Sequence, residues 1–169
     1  MDQAAASATE TAQAQATSGP TREQIIEKLR SEQNLPFAAV AGIAAAFVGA
    51  ILWAIITVST EYQIGFMAIA VGIMVGYAIK EAGKGIDKTF SYLGAVCGLL
   101  GCVVGNILSV VGFFAKAKGV GYFDALAAMN VDLISSLMAT FFQPMDLLFY
   151  AIAVYEGYKL SIKYKVLDE

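Results

Sequence analysis

"FAAVAGIAAAFVGAILWAIITV", residues 37–58, contains no charged side chain, and its reading decides the fold class. As a helix rising about 1.5 Å per residue, it is long enough to cross the roughly 30 Å hydrocarbon core of a bilayer. The surrounding chain agrees. Of its 169 residues, 58% are hydrophobic and only 15% charged, where a soluble domain carries about 25% charged residues. Mean hydropathy is +0.66. An all-α integral membrane protein is therefore expected.

Working outward, four apolar segments are read at about 37–58, 63–79, 90–115 and 145–162, together a four-helix transmembrane domain over 37–162. Residues 1–19, low in complexity and poor in large apolar side chains, are expected to be a disordered cytoplasmic tail. They lack the basic start and apolar core of a signal peptide, and no cleavage is expected. Residues 20–34 predict a short amphipathic cytoplasmic helix. Thr21 and Gln24 have capping-box spacing, and Ile25, Ile26 and Leu29 form one apolar stripe. That stripe suits either the membrane surface or a soluble partner. A break is expected at Leu35-Pro36, and 163–169 is read as a second cytoplasmic tail.

Charge sets the expected orientation. Arg22, Lys28, Arg30, Lys80, Lys84, Lys88, Lys159, Lys163 and Lys165 fall on one side if both termini are cytoplasmic, leaving Lys116 and Lys118 opposite. The excess of Lys and Arg on the cytoplasmic side predicts N-in and C-in, with two tandem hairpins. The long 116–143 connection contains "YFDALAAM" and "VDLISSLMATFF", each with helical spacing but too short to span. Short amphipathic helices capping the bundle in the outer interface are expected there.

The first and third segments align with a shift of 56 positions: "VAGIAAAFVGAIL" lies over "VCGLLGCVVGNIL". The second and fourth echo each other as "FMAIAVGIMVGY" and "FYAIAVYEGY". A parallel duplication of one hairpin about an axis along the membrane normal is the reading. Gly42 and Gly49, Gly65 and Gly72, and Gly98 and Gly105 keep heptad spacing. Gly72/Gly76, Gly94/Gly98 and Gly101/Gly105 are small-xxx-small pairs. Lipid gives helices no hydrophobic reason to associate, so these glycines are read as the packing residues.

Little in the sequence suggests chemistry. Histidine is absent, which removes the commonest metal ligand and general base. Cys97 and Cys102 point about 140° apart on a helix and read as small buried hydrophobes. No nucleophile–base pair, zinc spacing, nucleotide loop or nucleic-acid patch is present, so neither an enzyme, a cofactor nor a nucleic-acid partner is expected. Three polar residues lie within the spans. Asp146 falls in the first turn after Gln143-Pro144, where the helix dipole favours an anion. Glu156, about 15 Å further along, reads as an interfacial acid paired with Lys159. Asn106, mid-span where the repeat has Ala50, reads as making an interhelical hydrogen bond rather than a substrate contact.

"TEYQIGFMAIAVGIMVGYAIKEAGKGID" (60–87) and "PMDLLFYAIAVYEGYK" (144–159) resemble a family of small four-helix bacterial integral membrane proteins with no assigned activity. The resemblance covers about 37–162 and implies a multi-pass cell (inner) membrane protein, without assigning roles to residues. The functional expectation is a non-enzymatic scaffold or accessory subunit that packs with itself, as a homo-oligomer, or with another membrane protein. The alternative is a small channel or a proton- or cation-coupled transporter lined by Asp146, Glu156 and Asn106.

Overall fold

The computed structural model describes residues 21–62, 65–141 and 143–163, with the Phe141 side chain excluded; both expected tails lie wholly or largely outside them. The chain divides into two units, 1–32 and 33–169. In the first, α1 (Arg22–Ser31) is capped as its sequence predicts: Gln24 Oε1 accepts from the Thr21 N–H at 3.1 Å. Ile25, Ile26 and Leu29 lie along one face, and no residue of this helix is buried.

The second unit contains α2 (Leu35–Thr60), α3 (Phe66–Gly83), α4 (Lys88–Lys118), α5 (Tyr122–Ala128), α6 (Val131–Phe141) and α7 (Pro144–Leu160). Among the described residues every regular element is helical. Three helices, α2, α3 and α4, are long and apolar enough to cross a membrane, which makes this a multi-pass membrane protein. α6 and α7 meet the same test only jointly, as a span bent by 102°.

Helix boundaries overrun the apolar segments for local reasons. Leu35-Pro36 is no break. Asn34 caps α2, its Oδ1 accepting from the Phe37 N–H at 2.9 Å, and proline is well tolerated in a first turn. α3 continues through Lys80 and Glu81 until Lys84 turns left-handed (φ 48°). Charged side chains at a membrane boundary can snorkel, so the apolar run ends before the helix does. α4 stops at Gly119, whose φ of 67° suits glycine. Its 31 residues reach about 46 Å, so part of it stands beyond the hydrocarbon core.

That projecting end receives the 116–143 connection. Ala125 of α5 is buried against Val111 and Ala115 of α4. Among the described residues α5 and α6 pack on α4, and Tyr122 of α5 also borders a groove lined by Ile51, Ile55 and Val58 of α2.

Contacts fix the directions of the packed helices. Gly42 meets Cys97, Ala46 meets Gly101, Ala50 meets Gly105 and Glu61 pairs with Lys116, so α2 and α4 run parallel with a constant offset of 55 positions. α3 and α7 are also parallel, joined at Gly65/Phe149, Gly72/Ala153 and Gly76/Leu160. α3 runs antiparallel to α4, with Ala68 beside Cys102 and Val71 beside Gly101. α3 also packs on α2, and α7 on α4, whereas among the described residues the α2 and α7 backbones stay apart and meet through the rings of Trp53 and Tyr150. A two-fold axis along the membrane normal would make the α2–α7 contact match the α3–α4 contact. The arrangement departs from that symmetry, since α3 and α4 pack backbone to backbone and α2 and α7 do not among the described residues.

At the basic end the turn 83–87 is held from both sides. Gln33 Oε1 accepts from the Ile86 and Asp87 N–H groups at 3.0 and 3.3 Å, and its Nε2 donates to Asp87 Oδ2 at 2.9 Å. The Asn34 N–H donates to the Gly83 carbonyl at 3.0 Å, and the Lys163 N–H to the Gly85 carbonyl at 2.9 Å. Lys163 also pairs with Glu81 at 3.4 Å.

Candidate functional site: a buried polar cluster

The half of the bundle towards Glu61 carries most of its buried polar groups. Trp53 projects from α2 into the centre, 1% exposed, filling the space that Gly105 of α4 leaves. Its ring stands edge-on to Tyr150 of α7, with centroids 6.4 Å apart. Asn106 Nδ2 donates to the Tyr150 hydroxyl at 3.0 Å, and that hydroxyl donates to the Cys102 carbonyl at 3.3 Å. Asn106 thus makes the interhelical bond its mid-span position suggests. Its partner is a tyrosine that the sequence presents as one more amphipathic side chain in an apolar run.

Asp146 is 6% exposed and lies one helical turn before Tyr150. Its Oδ2 accepts from the Gln143 N–H at 2.9 Å, a capping-box contact that satisfies an otherwise orphaned donor at the start of α7. Two further polar atoms belong to the same half. Trp53 Nε1 and Thr57 Oγ1 are buried without a hydrogen-bond partner among the described residues. Ser109 and Ser161 turn their hydroxyls back onto their own helices, to the Gly105 and Gly157 carbonyls, whereas Thr57 does not. Such buried unpaired donors are rare, and Ser91 Oγ at the basic end is a third.

Glu156 does not join this cluster. It lies about 15 Å along α7 from Asp146, half-buried near the basic end. The expected Glu156–Lys159 ion pair is not present among the described residues. Lys159 instead sits over the Tyr155 ring, its Nζ 5.5 Å from the centroid. Of the three intramembrane polar residues, two are brought together and one is set apart.

The nine glycines read as packing residues all lie against other helices, but not equally. A Cβ on Gly72 would overlap the Ala153 backbone, and one on Gly94 the Gly157 carbonyl. Gly98 comes within 3.3 Å of the Ala153 carbonyl and Gly101 within 3.3 Å of the Ala46 backbone on the same measure. Gly42, Gly49 and Gly65 face the ends of Ile79, Met74 and Phe149, and Gly76 faces Leu160. Gly105 faces Trp53. Gly112, against Val58, and Gly157 are further close contacts that sequence reasoning missed. Their signals were present: Gly112 extends the Gly98/Gly105 heptad, and Ala153/Gly157 is a small-xxx-small pair.

At the far end of α2, the exposed Glu61 accepts a hydrogen bond from Lys116. That bond, and then the ammonium charge, hold the Glu61 carboxyl below its ordinary range. An apolar groove of about 380 Å³ lies nearby between Ile51, Ile55, Val58 and Leu108, beneath Tyr122. Cys97 and Cys102 are both buried and free. Among the described residues no group of His, Cys, Asp or Glu could hold a metal ion. No protein-family model, curated protein or solved structure matches the chain.

Proposed function

We propose that the chain is a four-span bacterial inner-membrane protein with both termini cytoplasmic, working without enzymatic chemistry as a scaffold or accessory subunit through helix packing with itself or a membrane partner. The observation that carries this reading is the closed centre of the bundle. Trp53 fills the middle of one half, and in the other Gly72, Gly94 and Gly98 bring three helices to backbone contact. Such packing suits a rigid body better than a path for solutes. α7 is taken as the fourth span because it lies alongside α3 and against α4. At 17 residues it is about 25 Å long, a deficit that local thinning and the snorkelling Lys159 can absorb. The constant α2/α4 offset of 55, one short of the 56-position sequence shift, supports a parallel duplication in which equivalent residues became neighbours. Orientation rests on the distribution of Lys and Arg. Cysteines introduced at 61 and 120 should label from outside and one at 84 only after permeabilisation; the native thiols are buried.

One observation favours the transporter as second reading: Asn106 and Asp146 flank Tyr150, whose ring meets Trp53, and Trp53 Nε1 and Thr57 Oγ1 have no hydrogen-bond partner among the described residues. Proton flux in liposomes separates the two. The scaffold predicts no flux from the wild type. Flux that disappears in a folded Asp146→Asn variant, whose amide cannot titrate, overturns it.

A further inference from the structure

The α3/α7 seam has one side covered by α4, where Gly157 meets Gly94 and Val71 meets Gly101, and an opposite side that carries exposed residues. Gly76 marks the seam, facing the Glu156 carbonyl and Leu160. On parallel right-handed helices set side by side, the residue after a contact on one and the residue before a contact on the other point to the same side, each about 100° from the seam. Here these are Tyr77 and Lys159, and Lys80 and Tyr155 follow on that side within one turn. Exposure agrees: Tyr77 is 50% and Tyr155 57% exposed. Each tyrosine carries a lysine over its ring, Lys80 at 5.3 Å from the Tyr77 centroid and Lys159 at 5.5 Å from that of Tyr155. The half-buried Glu156 lies on the seam, its backbone carbonyl facing Gly76, within about one turn of both lysines.

We propose that this face binds the headgroup of a phospholipid that carries both a phosphate and a primary ammonium. The two lysines take the phosphate, and Glu156 accepts hydrogen bonds from the ammonium. Lysine is a natural phosphate ligand, and charge-assisted bonds of this kind are the strong ones. The arrangement accounts for a carboxylate at membrane depth that neither caps its helix nor pairs with its neighbouring lysine, a position that demands explanation. The tyrosines hold both ammonium groups at headgroup level, where aromatic side chains prefer to lie. An acid between two bases disfavours a purely anionic headgroup. A quaternary ammonium, lacking N–H, keeps the charge attraction of Glu156 but gains no hydrogen bond from it.

Lipid titration of the intact, detergent-purified chain, followed by native mass spectrometry, tests the assignment. Phosphatidylethanolamine should be retained roughly tenfold more tightly than phosphatidylcholine or phosphatidylglycerol. The Lys80→Gln/Lys159→Gln double variant should bind all three weakly. Glu156→Gln should lose the preference for phosphatidylethanolamine and gain phosphatidylglycerol, a switch that misfolding would not produce. Equal retention of the three lipids by the wild type overturns the proposal. So does a Glu156→Gln variant, folded by circular dichroism, that keeps the wild-type order.

Discussion

The two halves of this bundle are held by different physics. Towards the basic end, Gly72, Gly94, Gly98 and Gly157 let backbones touch, and attraction comes from many weak contacts between closely fitted surfaces. Towards Glu61, Trp53 fills the centre beside the close Gly112/Val58 contact, and the pair Asn106 and Tyr150 supplies directional bonds. The first half tolerates no added volume. The second tolerates changes of shape better than the loss of a hydrogen-bond partner.

The largest expected effect falls on the glycine half. Gly94→Leu would drive a side chain into the Gly157 carbonyl, backbone that cannot step aside, at a cost of at least the roughly 1–3 kcal/mol of overpacking. Thermal unfolding in detergent should show a large loss, while Gly119→Ala, in open space at a left-handed cap, should cost less. Equal losses would erase the distinction between the halves.

Tyr150→Phe comes next. It leaves the ring against Trp53 but removes the acceptor for Asn106 and the donor to the Cys102 carbonyl. Interhelical hydrogen bonds in membranes average about 0.6 kcal/mol, and a double-mutant cycle with Asn106→Ala should return a coupling of that order. Zero coupling would mean that packing alone holds both halves.

Thr57→Val probes the same region with a smaller signal. Removing a buried hydroxyl that has no partner among the described residues should be neutral or slightly stabilising. A loss above about 1 kcal/mol would reveal a bound water or ligand on Thr57.

Smallest is the exposed Glu61–Lys116 pair. Because the Glu61 carboxyl lies below its ordinary range when folded, its contribution is complete above that range and fades as pH falls through the lowered value. The difference in melting temperature between wild type and Glu61→Gln should be slight at neutral pH and vanish in acid. A difference that grows in acid would reverse the sign.

What the sequence disclosed followed periodicity. Heptad glycines stand out in an apolar run, as does an acid just after Gln143-Pro144, because both are local patterns. The Tyr150–Asn106 bond was hidden because nothing within one helix indicates which residue of another it will meet. The same holds for Gln33, which lies 53 positions from the Ile86 it clamps. Lys159 differs from expectation for another reason: it has an acid three residues before it at 156 and a ring four before it at 155, and it sits over the ring. Gly112 and Gly157 were legible and overlooked.

The clamp on the 83–87 turn bears on biosynthesis. Gln33 can seize Ile86 and Asp87 as soon as the α2–α3 hairpin and its turn have left the ribosome. The Gly85 carbonyl must wait for the Lys163 amide, made only after α7. Until then that carbonyl is left to water, so this side of the turn can close only after α7 has been made.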